Sequence, residues 1–187
     1  MFYQMRDGRN GVLIVEDEDE LLTVYDRVLS EYYDVSTAET GAEAVETMSD
    51  DIDVVLLDRR LPDADGAALV DELQNRHRDC YVALVTAVEP DFDIIELGLD
   101  DYLVKPVTTE QLCDTVDRLR SLAEYDATYR ALSQKRVKRN VLVKEKTSTQ
   151  LRRCEEFERL RSEIERLESE LDNIVETIGE TPRELEH

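Results

Sequence analysis

Apolar positions along this chain keep two different periods, and the change between them comes near residue 108. Before it, short apolar runs end in turn formers: Val12 to Val15, Tyr33 to Thr37, Asp53 to Asp58, Tyr81 to Thr86 and Tyr102 to Val104. Runs this short, rich in β-branched and aliphatic residues, predict buried strands. Stretches of helical period between them predict helices near Glu20 to Ser30, from Thr40 with a capping box completed by Glu43, and near Ala67 to Arg76. Only Val88 to Gly98 lies between the fourth strand and the run into the fifth, which leaves room for barely two helical turns. Strands alternating with helices mean βαβ units. Right-handed crossovers then set helices on both faces of a parallel sheet, so the expected class is α/β.

After Thr108 the pattern is helical throughout. Thr108 with Gln111, and Thr147 with Gln150, each match a capping box, and Ile178-Gly179 followed by Pro182 marks a stop. Two long helices follow from these signals, roughly 109–145 and 148–178. The first carries Leu112, Val116, Leu119, Leu122, Tyr125, Tyr129 and Leu132 on one broad stripe. In the second, Phe157, Leu160, Ile164, Leu167, Leu171, Ile174 and Ile178 recur at spacings of 3 and 4, an a/d seam over three heptads. Such a seam needs a partner helix. The partner is either the first helix, folded back as a hairpin, or the same segment of a second copy in a coiled-coil homodimer through the C-terminal helix. In a parallel homodimer Glu156 would meet Arg161 favourably while Glu163 would face Glu168 with like charge, so both arrangements stay open.

The strand ends bring the chemistry. In open α/β sheets ligands bind at the C-terminal edge of the strands. There the first strand delivers Glu16 and Asp17, the third Asp58, the fourth Thr86 and the fifth Lys105. Carboxylates sharing one pocket repel unless a cation holds them together, and oxygen-only ligands with no His or Cys nearby favour Mg²⁺. An acid pair, a lone Asp, a hydroxyl and an ammonium suit phosphoryl transfer onto a carboxylate, with Asp58 attacking. Singly, each residue has a plainer reading: a strand-end Asp as a turn or cap residue, Thr86 as a β-former, Tyr102 as a core aromatic. The coincidence of so many strand ends favours the chemical reading.

With those positions in that order, residues 10–123 resemble the receiver domain of two-component response regulators. The resemblance implies a CheY-like, flavodoxin-like fold: a five-stranded parallel doubly wound sheet of order 2-1-3-4-5. It implies Asp58 as phospho-acceptor, Glu16 and Asp17 as the acidic metal pair, and the main-chain carbonyl of Arg60 as a further Mg²⁺ ligand. Thr86 becomes the switch hydroxyl, Lys105 the cation on the phosphoryl group, and Tyr102 the aromatic that changes rotamer. Ala87 fits the small residue that leaves the site open to a donor. A sensor histidine kinase is the implied upstream partner, and no enzymatic activity is implied beyond the receiver's own phosphorylation and dephosphorylation. The short segment from Val88 to Gly98 departs from the family, whose fourth helix is usually longer, and puts the common dimerisation face in question. A phosphohydrolase using an aspartyl-phosphate would want an acid where Arg60 stands.

Lys plus Arg total 23 against 45 Asp plus Glu, a net charge of −22, which repels nucleic acid and anionic membranes at ordinary salt. Only five of the 23 basic residues are Lys. This resembles the proteins of extreme halophiles, where molar salt shortens screening to about 3 Å. A receiver followed by a helical tail in such a chain resembles the haloarchaeal response regulators that carry a HalX domain. That implies a receiver at 1–123, a helical output domain at 124–187, and regulatory signalling in gene expression. One segment breaks the acid excess: residues 130–153 hold nine basic residues and one acid, Glu145. Lys135, Arg136, Lys138 and Arg139 are its candidates for an output or nucleic-acid contact. The plainer reading is a cation patch that pairs with acidic helices such as the one holding Glu155, Glu156 and Glu158. A coiled-coil scaffold with a silent receiver is a further alternative. Met1 to Gly11 has no apolar core of a leader and no stretch approaches membrane-spanning length, so a cytoplasmic protein without membrane contact is expected. Cys80, Cys113 and Cys154 lie far apart and outside any C-x-x-C spacing, which points to buried or idle thiols rather than bridges or metal ligands.

Overall fold

The computed structural model describes residues 11–77, 80–90 and 92–180; residues 1–10 and the stop signal at Pro182 lie outside them. The chain divides into two compact units, Met1–Arg120 and Ser121–His187.

In the first unit the strands are β1 (Gly11–Val15), β2 (Asp34–Ala38), β3 (Ile52–Leu57), β4 (Tyr81–Thr86) and β5 (Asp101–Val104). All pair in parallel in the order β2-β1-β3-β4-β5. Every residue of β1 and β3 is buried, which explains why these central strands read as continuous apolar runs rather than alternating ones. The helices α1 (Asp19–Leu29), α2 (Gly41–Thr47), α3 (Gly66–Arg76) and α4 (Thr109–Glu145) start or end within a few residues of the sequence expectation. Leu13, Val55, Leu57, Leu69, Val70, Leu73, Val82 and Leu84 form the main core cluster. Burying one such side chain fully stabilises the fold by about 1.5–3 kcal/mol.

Two local expectations are corrected. The Thr40 hydroxyl accepts the Glu43 N–H at 3.1 Å, but the Glu43 carboxylate accepts from the Glu39 N–H at 2.9 Å, so only half of the expected capping box forms. Among the described residues between β4 and β5 the helical structure is a 3₁₀ turn at Phe92–Glu96 rather than a short α-helix. Pro90 precedes the turn, and the chain must reach Asp100 soon after it. There the Asp100 N–H donates to the Val82 carbonyl and its carboxylate accepts the Val82 N–H at 2.8 Å, bringing β5 alongside β4. The turn is too short to bury its apolar residues, and Phe92 and Ile95 are exposed.

The second unit holds the later part of α4, then α5 (Ser148–Arg152) and α6 (Glu155–Glu180). The single helix expected over 148–178 is broken at Arg153 and Cys154. Thr147 and Gln150 do form the expected capping box at its start. The N–H groups of Arg153 and Cys154 then close onto Gln150 and Leu151, and Glu155, Glu156 and Glu158 fill the first turn of a new helix, where negative charge suits the helix N-terminus. That acid cluster was the readable signal for the break. Leu132 of α4 is buried against Ile164 and Leu167 of α6, flanked by Ala131, Leu160 and Leu171. Lys135 Nζ lies 2.5 Å from Glu163, and Arg136 lies 2.6 Å from Glu168. Within the chain, therefore, α4 and α6 form a hairpin, and the two glutamates that would repel in a parallel dimer each meet a cation instead. Of the seam, Phe157, Ile164, Leu167 and Ile174 are buried while Leu160, Leu171 and Ile178 are half-buried. Tyr129, expected on the apolar stripe of α4, is exposed and stacks on Tyr125.

Candidate functional site

The C-terminal ends of β1, β3, β4 and β5 deliver the site. Asp58 follows β3 directly, and its N–H donates to the Val15 carbonyl at 2.9 Å, locking the backbone of the acid to β1. One carboxylate oxygen of Asp58 accepts the Arg60 N–H at 2.9 Å, and the other meets Lys105 Nζ at 2.5 Å. The same ammonium lies 2.7 Å from Glu16 and 4.0 Å from Glu18. Lys105 is brought there from the end of β5, where its N–H donates to the Thr86 carbonyl at 2.9 Å, ahead of a cis Lys105–Pro106 peptide.

The electrostatics follow from burial. Glu16 and Asp58 are buried and Asp17 is exposed. Desolvation raises the Glu16 carboxyl above its ordinary range, against the pull of the Lys105 hydrogen bond and charge. Desolvation works to lower Lys105, but its bonds to Asp58 and Glu16 prevail and hold the ammonium above its ordinary value. Glu16, Asp17 and Asp58 each offer an oxygen, all within 4.8 Å of one another, an arrangement that could hold a metal ion. Three hard carboxylates beside a single ammonium leave an excess of negative charge, and that donor chemistry fits Mg²⁺.

Thr86 is fully buried, and its hydroxyl accepts the Val88 N–H at 3.4 Å. Tyr102 is half-buried against the main core, with its hydroxyl donating to the Val88 carbonyl at 2.8 Å. Thr86 and Tyr102 thus meet the same residue, Val88, which neither strand pattern foretold. Tyr25 of α1 was also missed. It is buried, and desolvation raises its phenol, with Lys105, Glu16 and Asp58 acting on it in turn. Its position at the i+3 step after Leu22 reads only as core.

The basic candidates are distributed differently. Lys135 and Arg136 pair with Glu163 and Glu168 of α6 as the plainer reading expects. Arg139 donates to Asn140 at 3.1 Å, and Lys138 is exposed.

A profile of the response regulator receiver domain matches residues 12–117. The chain belongs to the response regulator receiver family. A HalX domain follows at residues 121–186. This response regulator is 43% identical over 117 residues to a candidate transcriptional regulator of Haloferax volcanii, covering 62% of this chain and 20% of that protein. It is 32% identical over 112 residues to response regulator SaeR of Staphylococcus aureus, covering 58% of this chain and 49% of SaeR. The chain therefore spans about a fifth and about half of these relatives' lengths. Among solved structures, the BeF3-activated receiver domain of DrrB, a Thermotoga maritima protein, matches with a TM-score of 0.55 and 27% identity, covering 59% of this chain and 96% of that one. A response regulator or its receiver domain is named by the profile match, by SaeR and by the DrrB structure. No helix among the described residues is long and apolar enough to cross a membrane.

Proposed function

We propose that this response regulator is a Mg²⁺-dependent phospho-acceptor switch in which a sensor histidine kinase phosphorylates Asp58. The observation that carries the reading is the largely enclosed Lys105 ammonium bridging Asp58 at 2.5 Å and Glu16 at 2.7 Å, with Asp17 beside them. An Asp58 oxygen attacks the phosphorus of a phosphohistidine, the P–N bond breaks, and the imidazole leaves with the electron pair and takes a proton from solvent. Lys105 neutralises charge on the transferred group, and the Thr86 hydroxyl donates to a phosphoryl oxygen. Glu16, Asp17, Asp58 and the Arg60 carbonyl are the ligands in this reading, and bound Mg²⁺ supplies charge neutralisation at the phosphoryl oxygens. Tyr102 reports the change through Val88, and the HalX domain is the output. The BeF3-activated state of the DrrB receiver, a matched relative, is in keeping with this chemistry. The test is labelling by acetyl phosphate with MgCl2, read by intact mass. Wild-type protein gains a phosphoryl group and Asp58→Asn does not; undiminished labelling of Asp58→Asn would move the site elsewhere.

A second reading concerns the output. Lys138, Lys144, Lys146, Arg152 and Arg153 have no acidic partner among the described residues and lie at the turn of the hairpin, next to exposed Val137, Val141 and Val143. Contact with nucleic-acid phosphates through this turn fits the matched transcriptional regulator's description. Duplex DNA anisotropy in graded KCl tests it, and binding that survives charge reversal at these five positions would refute it.

A further inference from the structure

The loop between β3 and α3 carries Arg60, whose carbonyl is the one main-chain ligand in the reading above. The loop is tied within itself: Asp58 accepts from Arg60 N–H, Arg60 and Asp65 form an antiparallel bridge, and the Gly66 N–H donates to the Arg59 carbonyl at 3.0 Å. It is also tied to a different element. The two carboxylate oxygens of Asp63 accept the N–H groups of Gly41 at 2.9 Å and Ala42 at 3.0 Å, at the N-terminus of α2. An independent observation shows how close the approach is: a Cβ placed on Gly41 would sit 2.7 Å from the Cβ of Ala64, the next loop residue. These backbone bonds hold the Asp63 carboxyl below its ordinary range.

We propose that Asp63 is a positioning residue for the divalent-cation site, clamping the β3–α3 loop onto α2 so that the Arg60 carbonyl is held at the sheet edge. This rests on the phospho-acceptor reading. Among the described residues, the carboxylate of Asp63 bonds Gly41 and Ala42 and not the acids themselves. A main-chain ligand cannot be held by its own side-chain rotamer, so its placement depends on what fixes the loop. Supporting groups of this kind orient a metal's ligands and tune affinity without contacting the ion. Asp63 and Thr40 both cap α2, but only Asp63 also belongs to the loop. That difference separates a positioning role from a merely structural one.

The experiment is calorimetric titration of MgCl2 into the full chain, with denaturant stability measured alongside. Asp63→Ala is expected to weaken Mg²⁺ binding by about 10–100-fold. Asp63→Asn keeps one acceptor oxygen and falls between Asp63→Ala and wild type. Thr40→Ala destabilises α2 but leaves Mg²⁺ affinity within about twofold, as expected of a cap whose hydroxyl bonds α2 and not the loop. Gly41→Ala favours helix at α2 yet pushes Ala64, so it weakens Mg²⁺ binding without loss of helix. Equal affinity in Asp63→Ala and wild type would overturn the proposal, as would equal weakening by Asp63→Ala and Thr40→Ala. If wild type itself binds no Mg²⁺, the phospho-acceptor reading fails first, and this outcome is distinct from the other two.

Discussion

Replacing Lys105 by Met tests how the site holds its own charges. The ammonium side chain is 10% exposed and faces Asp58 at 8% and Glu16 at 2%. At an effective dielectric of about 20, contacts of 2.5 and 2.7 Å are each worth about 6 kcal/mol. Desolvation of the ions opposes this, and experience with buried pairs puts the loss on removing one partner at about 3–5 kcal/mol. Met fills the volume but leaves two buried carboxylates facing each other, so destabilisation at neutral pH should fall in that range. The pH dependence gives a second handle. Glu16 is raised above its ordinary 4.5, so its stabilising contribution is complete below that value and is lost as pH rises through the folded one. Without Lys105 the folded value climbs further, and the deficit of the variant should shrink as pH falls from 7 towards 5. Lys105 is itself raised above 10.5, so its contribution in the wild type is complete below 10.5 and is lost as pH rises through its folded value. Urea unfolding of both proteins at several pH values, followed by far-UV circular dichroism in the absence of Mg²⁺, measures all of this. A variant as stable as wild type at neutral pH, or a deficit that grows on acidification, would refute the reasoning.

Other expectations concern the two packing units. Leu167→Ala removes a buried side chain that meets Leu132 and Ile164, and should cost about 2–5 kcal/mol in urea unfolding of the helical unit; a loss under about 1 kcal/mol would mean the hairpin is loosely held. Tyr33 donates to Asp117 at 2.5 Å under the Arg120 guanidinium, and burial followed by that bond pushes its phenol far up. A raised phenol contributes stability that is complete below its unfolded value near 10 and disappears as pH rises. Tyr33→Phe should therefore cost about 0.5–1.5 kcal/mol at neutral pH and flatten the alkaline limb of a stability profile, which unfolding midpoints at rising pH would check.

The amino-acid sequence alone dictated whatever a local pattern enforces. The apolar runs of β1 and β3 must be buried on both faces, which makes the parallel sheet legible, and the acids at their ends share an edge by topology alone. Family resemblance supplied the strand order, and the seam of α6 announced a partner helix without saying which. Tertiary structure decided the rest, because it depends on groups far apart in the chain. Lys135 and Arg136 met the acids of α6 and closed the hairpin. Phe92–Glu96 became a 3₁₀ turn, and Asp100 soon after it bonds Val82. Asp63 reads as an ordinary turn residue after Pro62, and only the approach of α2 turns its two oxygens into a clamp. Periodicity records which face of an element avoids water; it carries no information on which distant backbone N–H a particular carboxylate will meet.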